Sequence, residues 1–200
     1  MNTEVIQVES IYRLNEGCVF CKVKDEFGSF SNMSNEFPVK VNGYRISNTE
    51  ALYQACRFPY HVDEQKEVLL QKSGMSAKMK SRKFKSDSRS DWDEHRVDII
   101  WWCLKVKLAQ HGHKLGRVLE STGDKPIVEL SHKDRFWGAV LDEKKGVLVG
   151  QNILGQLLMK LREQYLNKKE KIRALAYVEP PEIENFLLLG SPILAVGRQV

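Results

Sequence analysis

Apolar and polar positions alternate through Phe37-Pro38-Val39-Lys40-Val41 and resume after Asn42-Gly43 at Tyr44-Arg45-Ile46, the period of a strand folded back on itself. Asn and Gly tolerate the positive φ of a type I′ turn, so a two-residue hairpin is expected. A helical period follows. Ala51, Leu52, Ala55 and Cys56 form an apolar stripe, whereas Glu50, Tyr53, Gln54 and Arg57 share a second face at i, i+3, i+4 and i+7. Ser47 and Glu50 have capping-box spacing, and Pro59 ends the helix.

Further along, residues 63–72 and 77–85 read as helices separated by Ser73-Gly74, with Ser76 as a cap. The strongest periodic segment is 93–109, where Val97, Ile100, Trp101, Leu104 and Leu108 make one stripe and Ile99, Cys103 and Val106 extend it around the helix. Such a helix belongs in a core, so Trp101 and Trp102 are assigned to packing. A short helix is expected over 113–120, ending near Gly123, then a strand over 126–130 and another over 146–150. Asn152 is placed as the cap of a last amphipathic helix carrying Ile153, Leu154, Leu157, Leu158 and Leu161. The expectation is a mainly helical α+β domain with short strands and a hairpin near the site.

At 200 residues and 42% hydrophobic composition the chain suits one domain. No run approaches the roughly 18 apolar residues that cross a bilayer, and the first ten residues do not read as a secretory signal, so a soluble, cytoplasmic protein with no membrane partner is expected. Cys18 and Cys21 have the spacing of a thiolate pair but no second pair, while Cys56 and Cys103 stand apart within helical patterns. Reduced, buried thiols and no metal site are expected. The formal charge of +5 resides in one place: between Lys78 and Arg89, six bases accompany the single acid Asp87. A solvated helix face accounts for this, and so does a strip for nucleotide or nucleic-acid phosphates.

Several blocks carry chemistry. Asp134 precedes Arg135-Phe136-Trp137-Gly138, where an isolated Asp is a turn residue unless the Asp-x-x-Trp-Gly spacing serves a sugar. Gly150-Gln151-Asn152 opens a helix, a place where free N–H groups receive phosphate or ribose oxygens. Phe27-Gly28-Ser29-Phe30-Ser31-Asn32-Met33 offers a ring and an amide. Glu50 either completes the capping box or presents a carboxylate to a substrate, and a helix start favours its anionic form.

In this order the blocks resemble the NADAR, or YbiA-like, family, whose members cleave N-glycosidic bonds of ribosyl compounds including ADP-ribose. The hallmark segment is matched by residues 47–55, the Asp-x-x-Trp-Gly block by residues 134–138, and Gly-x-Asn-x-Leu-Gly-x-Leu-Leu-Met-x-Leu-Arg by residues 150–162. Ala51 stands where the family has His, and Met33 where it has an aromatic residue.

The resemblance spans residues 27–166. It implies a domain over 1–166 and a C-terminal extension over 167–200 that packs on the domain or on a partner. It further implies catalytic carboxylates at Glu50 and Asp134. Substrate contacts are implied at Phe30, Ser31, Asn32, Trp137, Gly138, Gly150 and Asn152, with Trp92 as an aromatic contact and Arg89 as a phosphate contact. Breaking the bond passes through an oxocarbenium-like sugar, which calls for a carboxylate and a positioned water but no cofactor.

Three functions follow as expectations. One is hydrolysis of ADP-ribosylated guanine in DNA, releasing ADP-ribose as the antitoxin to a DNA ADP-ribosyltransferase toxin. Another is hydrolysis of ribosylamino-pyrimidine phosphates of riboflavin biosynthesis. The last is binding of ADP-ribose or nucleic acid without turnover, which the Ala51 departure accommodates. Neither the leaving group nor the oligomeric state is fixed by the chain.

Overall fold

The computed structural model describes residues 5, 8–167, 170, 171 and 176–197. Lys168 and Lys169 of the charged run, and the last three residues of the apolar C-terminal stretch, lie outside them, as do residues 1–4, 6 and 7. In chain order the elements are β1 (Ser10–Arg13), β2 (Cys18–Phe20), β3 (Val39–Val41), β4 (Tyr44–Ile46), α1 (Thr49–Ala55), α2 (Val62–Leu69), α3 (Gly74–Lys83) and α4 (Trp92–Ser121). Then come β5 (Ile127–Glu129), β6 (Val140–Asp142), β7 (Val147–Gly150), α5 (Ile153–Leu166), β8 (Tyr177–Val178), β9 (Leu187–Leu188), β10 (Ser191–Pro192) and β11 (Val196–Gly197). This is the expected mixed fold of a helical core with short strands. The chain divides into two compact units, one built mainly from residues 32–112 and 172–200, the other from 4–31 and 113–171.

In the first unit α1, α2 and α3 pack on one another. The hairpin β3–β4 forms as the Asn-Gly signal requires, with φ of 48° at Asn42 and 84° at Gly43. Gln110 fastens it to α4 by a reciprocal pair of 2.8 Å bonds with the backbone of Lys40. Two helix starts differ from expectation. Ser73, not Ser76, caps α3, with Ser76 as the reciprocal partner of a capping box. Asn48, not Ser47, caps α1: its Oδ1 accepts from the Ala51 N–H at 2.9 Å while its amide donates to Asn35 Oδ1, a double use that a serine hydroxyl does not match.

The span of α4 contains the two expected helices, 93–109 and 113–120, on either side of a kink. The join is visible at His111, whose φ of −127° and ψ of 29° are non-helical and whose ring Nε2 lies 2.6 Å from the Pro38 carbonyl. Trp101 and Trp102 are buried in packing. Cys56 and Cys103, far apart in sequence, are buried neighbours whose thiols interact, and burial pushes the Cys103 thiol well up. The segment 176–197 wraps the first unit: Phe186 meets Trp102 edge-on at 5.1 Å, and Gln65 donates to the Leu187 carbonyl and accepts from the Leu189 N–H.

The second unit holds the sheet β1-β7-β6, all antiparallel, and the parallel pair β2–β5. Its tightest packing surrounds the start of α5. A Cβ on Gly138 would stand 2.4 Å from the Glu129 carbonyl, one on Gly150 2.3 Å from the Gly138 carbonyl, and one on Gly155 2.1 Å from the Ile127 carbonyl. These glycines let backbone lie against backbone. Asn152 has φ of 52° and offers no side-chain cap to α5; instead its Oδ1 accepts from the Glu129 N–H at 3.0 Å and its Nδ2 donates to the Ile127 carbonyl at 2.8 Å. A fully buried carboxamide thus bolts α5 to β5.

Asn152→Gly preserves the left-handed backbone and deletes both bonds, so it should lower unfolding free energy by about 2–4 kcal/mol in urea denaturation. A loss below about 0.5 kcal/mol would show that the bolt carries little stability.

Candidate active site

In the first unit Glu50 sits in the first turn of α1, and its backbone N–H donates to the Asn32 carbonyl at 2.8 Å. With Asn48 as cap, Glu50 is one residue too early to be the reciprocal partner of a capping box. Its carboxylate turns elsewhere. Oε1 accepts from Gln54 Nε2 at 2.9 Å, and the second oxygen accepts no hydrogen bond among the described residues.

The residue is 7% exposed. Burial raises its pKa; Lys78, the Gln54 bond and Arg82 work in the opposite direction and do not cancel it. The expected preference of a helix start for the anion is therefore outweighed by desolvation. The result is a carboxyl group poised closer to neutrality than a surface glutamate, as a general acid or base requires.

Helix α3 supplies the rest of this environment. Gly74, Ala77 and Ser81 are its buried positions, spaced i, i+3 and i+7, and side chains this small let it approach α1. Ser81 Oγ comes within 2.6 Å of Gln54 Oε1. Lys78 and Arg82 flank that stripe and direct positive charge at Glu50. Sequence reasoning placed Gln54 on the right face of α1 but passed over Ser81, treating the basic run as one block; the signal was the spacing of small residues within it.

An aromatic and cationic cluster adjoins α1. The Tyr53 and Trp92 rings lie 5.0 Å apart and tilted by 44°, and the Arg57 guanidinium stands 5.0 Å from the Trp92 centroid. Burial and the Glu50 charge push the Tyr53 hydroxyl well up, so it stays protonated as a donor. Asn32 is buried, with an Oδ1 that accepts no bond among the described residues. Asn32, Glu50 and Trp92 are therefore brought together with Tyr53, Arg57, Lys78 and Arg82.

Arg89 differs from expectation. Its guanidinium folds onto Asp91, with Nε–Oδ1 at 2.5 Å and Nη2–Oδ2 at 2.9 Å, and also donates to the Glu184 carbonyl. This pairing holds the Asp91 carboxyl below its usual range. Arg89 is a buried brace at the entry to α4, and its Nη1 has no hydrogen-bond partner among the described residues.

The second unit holds the other expected positions. Phe30 is fully buried, edge-on to Phe20 at 5.9 Å and stacked with Phe27 at 6.2 Å; its ring is core and leaves no face for a base. Ser31 is buried after the tight turn at Gly28–Phe30 and donates its N–H to the Gly28 carbonyl. Asp134 Oδ1 accepts from the N–H groups of Phe136 and Trp137, both at 3.0 Å, shaping its own loop. Trp137 is half-buried and edge-on to Phe136 at 4.9 Å.

The expected phosphate cradle at the start of α5 is already filled. The N–H groups of Gln151, Asn152, Ile153 and Leu154 donate to the carbonyls of Arg135, Gly138, Phe136 and Trp137 respectively. Gly138, Gly150 and Asn152 therefore lock this loop to the helix. These four backbone donors serve protein carbonyls.

Among the described residues no group of three or more His, Cys, Asp or Glu side chains could hold a metal ion, and no helix is long and apolar enough to cross a membrane.

The chain has relatives among known proteins. The N-glycosidase YbiA of Escherichia coli strain K12 is 32% identical over 152 residues, covering 75% of this chain and 89% of that protein. The chloroplastic riboflavin biosynthesis protein PYRR of Zea mays is 33% identical over 160 residues, which is 74% of this chain but only 25% of that protein. The solution NMR structure of E. coli YbiA superposes with a TM-score of 0.65 at 29% identity, covering 79% of this chain and 90% of that one. The NADAR domain model matches residues 19–166. With its fold, its motifs and most of its length in agreement, this chain belongs to the NADAR family.

Proposed function

We propose that this protein hydrolyses the N-glycosidic bond of ADP-ribosylated guanine in DNA and releases ADP-ribose. Relatives named as N-glycosidases support the reaction class. The observation that carries the reading is Glu50, buried with one oxygen held by Gln54 and the other unbonded, at a raised pKa. As the C1′–N bond lengthens, this carboxylate accepts a proton from water and the water oxygen bonds to C1′; the departing base takes a proton from solvent, and Glu50 returns its own to solvent, so that one water is consumed in all. Negative charge at Glu50 also stabilises the developing oxocarbenium ion.

In this reading Trp92 supplies aromatic surface, Asn32 offers its unbonded amide oxygen to a ribose hydroxyl, and Lys78, Arg82 and Arg57 meet phosphates. The polymer is favoured because α3 continues its positive charge outward through the exposed Lys83 and, just beyond its end, Lys85. A DNA ADP-ribosyltransferase would be the source of such a substrate.

A second reading is favoured by relatives named for riboflavin biosynthesis, in Zea mays and in Vibrio vulnificus strain YJ016. The same carboxylate would then cleave a ribosylamino-pyrimidine phosphate.

Purified protein should release ADP-ribose from ADP-ribosylated guanine DNA, and Glu50→Gln should slow release by roughly 10²–10⁴-fold. Neutralising Lys83 and Lys85 together should weaken the DNA reaction and lower its salt slope by up to about 2 while sparing a monophosphate substrate. Intact DNA adduct beside rapid cleavage of the pyrimidine substrate would select the second reading; turnover of neither would refute both.

Stability offers a test that needs no substrate. Because the folded protein holds the Glu50 proton more tightly than the unfolded chain, stability falls as pH rises from the ordinary glutamate range through the raised folded value. Glu50→Gln removes that penalty. The variant should melt above wild type at neutral pH, and the gap should close on acidification. A gap independent of pH would contradict the raised pKa.

A further inference from the structure

The structure joins three buried polar side chains in a line. Ser81 Oγ lies 2.6 Å from Gln54 Oε1, and Gln54 Nε2 lies 2.9 Å from Glu50 Oε1. Ser81 Oγ is also 2.9 Å from the carbonyl of Lys78. Ser81 is 1% exposed and Gln54 5%, so water does not readily replace a lost partner. The line connects α3 to α1 and ends on the carboxylate to which the proposed reaction is assigned.

A hydroxyl has one proton, and here it has two acceptors. With Glu50 ionised, Ser81 donates to Gln54 Oε1, and this fixes the amide so that its N–H points at the carboxylate. With Glu50 protonated, the same line runs in reverse. The Gln54 amide turns over, exchanging nearly isosteric oxygen and nitrogen positions. Glu50 then donates its O–H to Gln54 Oε1, Gln54 Nε2 donates to Ser81 Oγ, and the Ser81 O–H donates to the Lys78 carbonyl. Each buried group in the line has a partner in both states, and no proton crosses the amide.

We propose that Ser81 and Gln54 form a reversible hydrogen-bond relay that positions Glu50 and satisfies its carboxyl group in both protonation states. A general acid–base residue must change protonation within each turnover, and a buried one does so at a cost unless its neighbours adapt. Other groups facing Glu50 cannot adapt in this way: Lys78 and Arg82 on α3 are fixed cations, Tyr53 on α1 remains a donor, and Cys103 on α4 is a neutral thiol. Gln54 and Ser81 are positioning residues, since both act on substrate only through Glu50. The inference rests on the assignment of Glu50 as the catalytic carboxylate.

The test uses the full-length protein labelled with nitrogen-15. The side-chain amide signals of Gln54 should move with pH in a single titration, and Glu50→Gln should abolish that movement. Gln54→Met should shift the acid limb of the pH–rate profile upward, since the donor to the anion is gone. Ser81→Ala should lower kcat by roughly tenfold to a hundredfold with KM changed less than about twofold. Ser81→Thr, which restores the hydroxyl, should recover most of the rate.

Gln54 signals that stay fixed while Glu50 titrates would overturn the relay, as would full kcat in Ser81→Ala. The amide titration requires neither substrate nor a Ser81 variant. A titrating Gln54 in a protein that cleaves no ribosyl compound leaves the relay standing and removes the N-glycosidase reading; a fixed Gln54 in an active, Glu50-dependent enzyme does the reverse.

Discussion

Desolvation of one carboxylate is the constraint around which the first unit is arranged. Removing Glu50 from water penalises its charge, and the surrounding groups offset only part of that penalty: a hydrogen bond from Gln54 and the positive charges of Lys78 and Arg82. A fold seeking stability alone would put an apolar residue there, as it does at neighbouring Ala51 and Leu52. Retaining an incompletely compensated acid is what makes Glu50 a candidate functional position. The short α1, its Asn48 cap, and the small-residue face of α3 all act to hold that acid in one orientation.

The second unit uses its polar groups in the opposite manner. Asn152, Asp134 and the N–H groups at the start of α5 are all engaged by nearby backbone, and Gly138, Gly150 and Gly155 let those segments touch. The most recognisable motif of the chain is thus a packing lock. A motif that identifies a family need not be the part that meets the substrate: Gly and Asn are required wherever a left-handed turn or a backbone contact is, with or without a ligand.

Periodicity made the helices legible. The Asn42-Gly43 hairpin, the core role of Trp101 and Trp102, and the face shared by Glu50, Tyr53 and Gln54 follow from local spacing alone. The break between 93–109 and 113–120 was legible too, since the apolar pattern changes where the non-helical His111 kinks α4. The packing of Arg89 and Phe30 was hidden for one reason. Both residue types suit ligands, but their actual partners, Asp91 with Glu184 and Phe20 with Phe27, are chosen by burial, which composition does not reveal. Ser81 was missed because its importance lies in reaching across to another helix.

The most direct measurement is an experimental structure of the protein with ADP-ribose bound. The account predicts the free oxygen of Glu50 within hydrogen-bond reach of the anomeric hydroxyl, about 2.6–3.2 Å, with Gln54 still holding the other oxygen. A Glu50 side chain turned away from the sugar and bonded only to protein would contradict it.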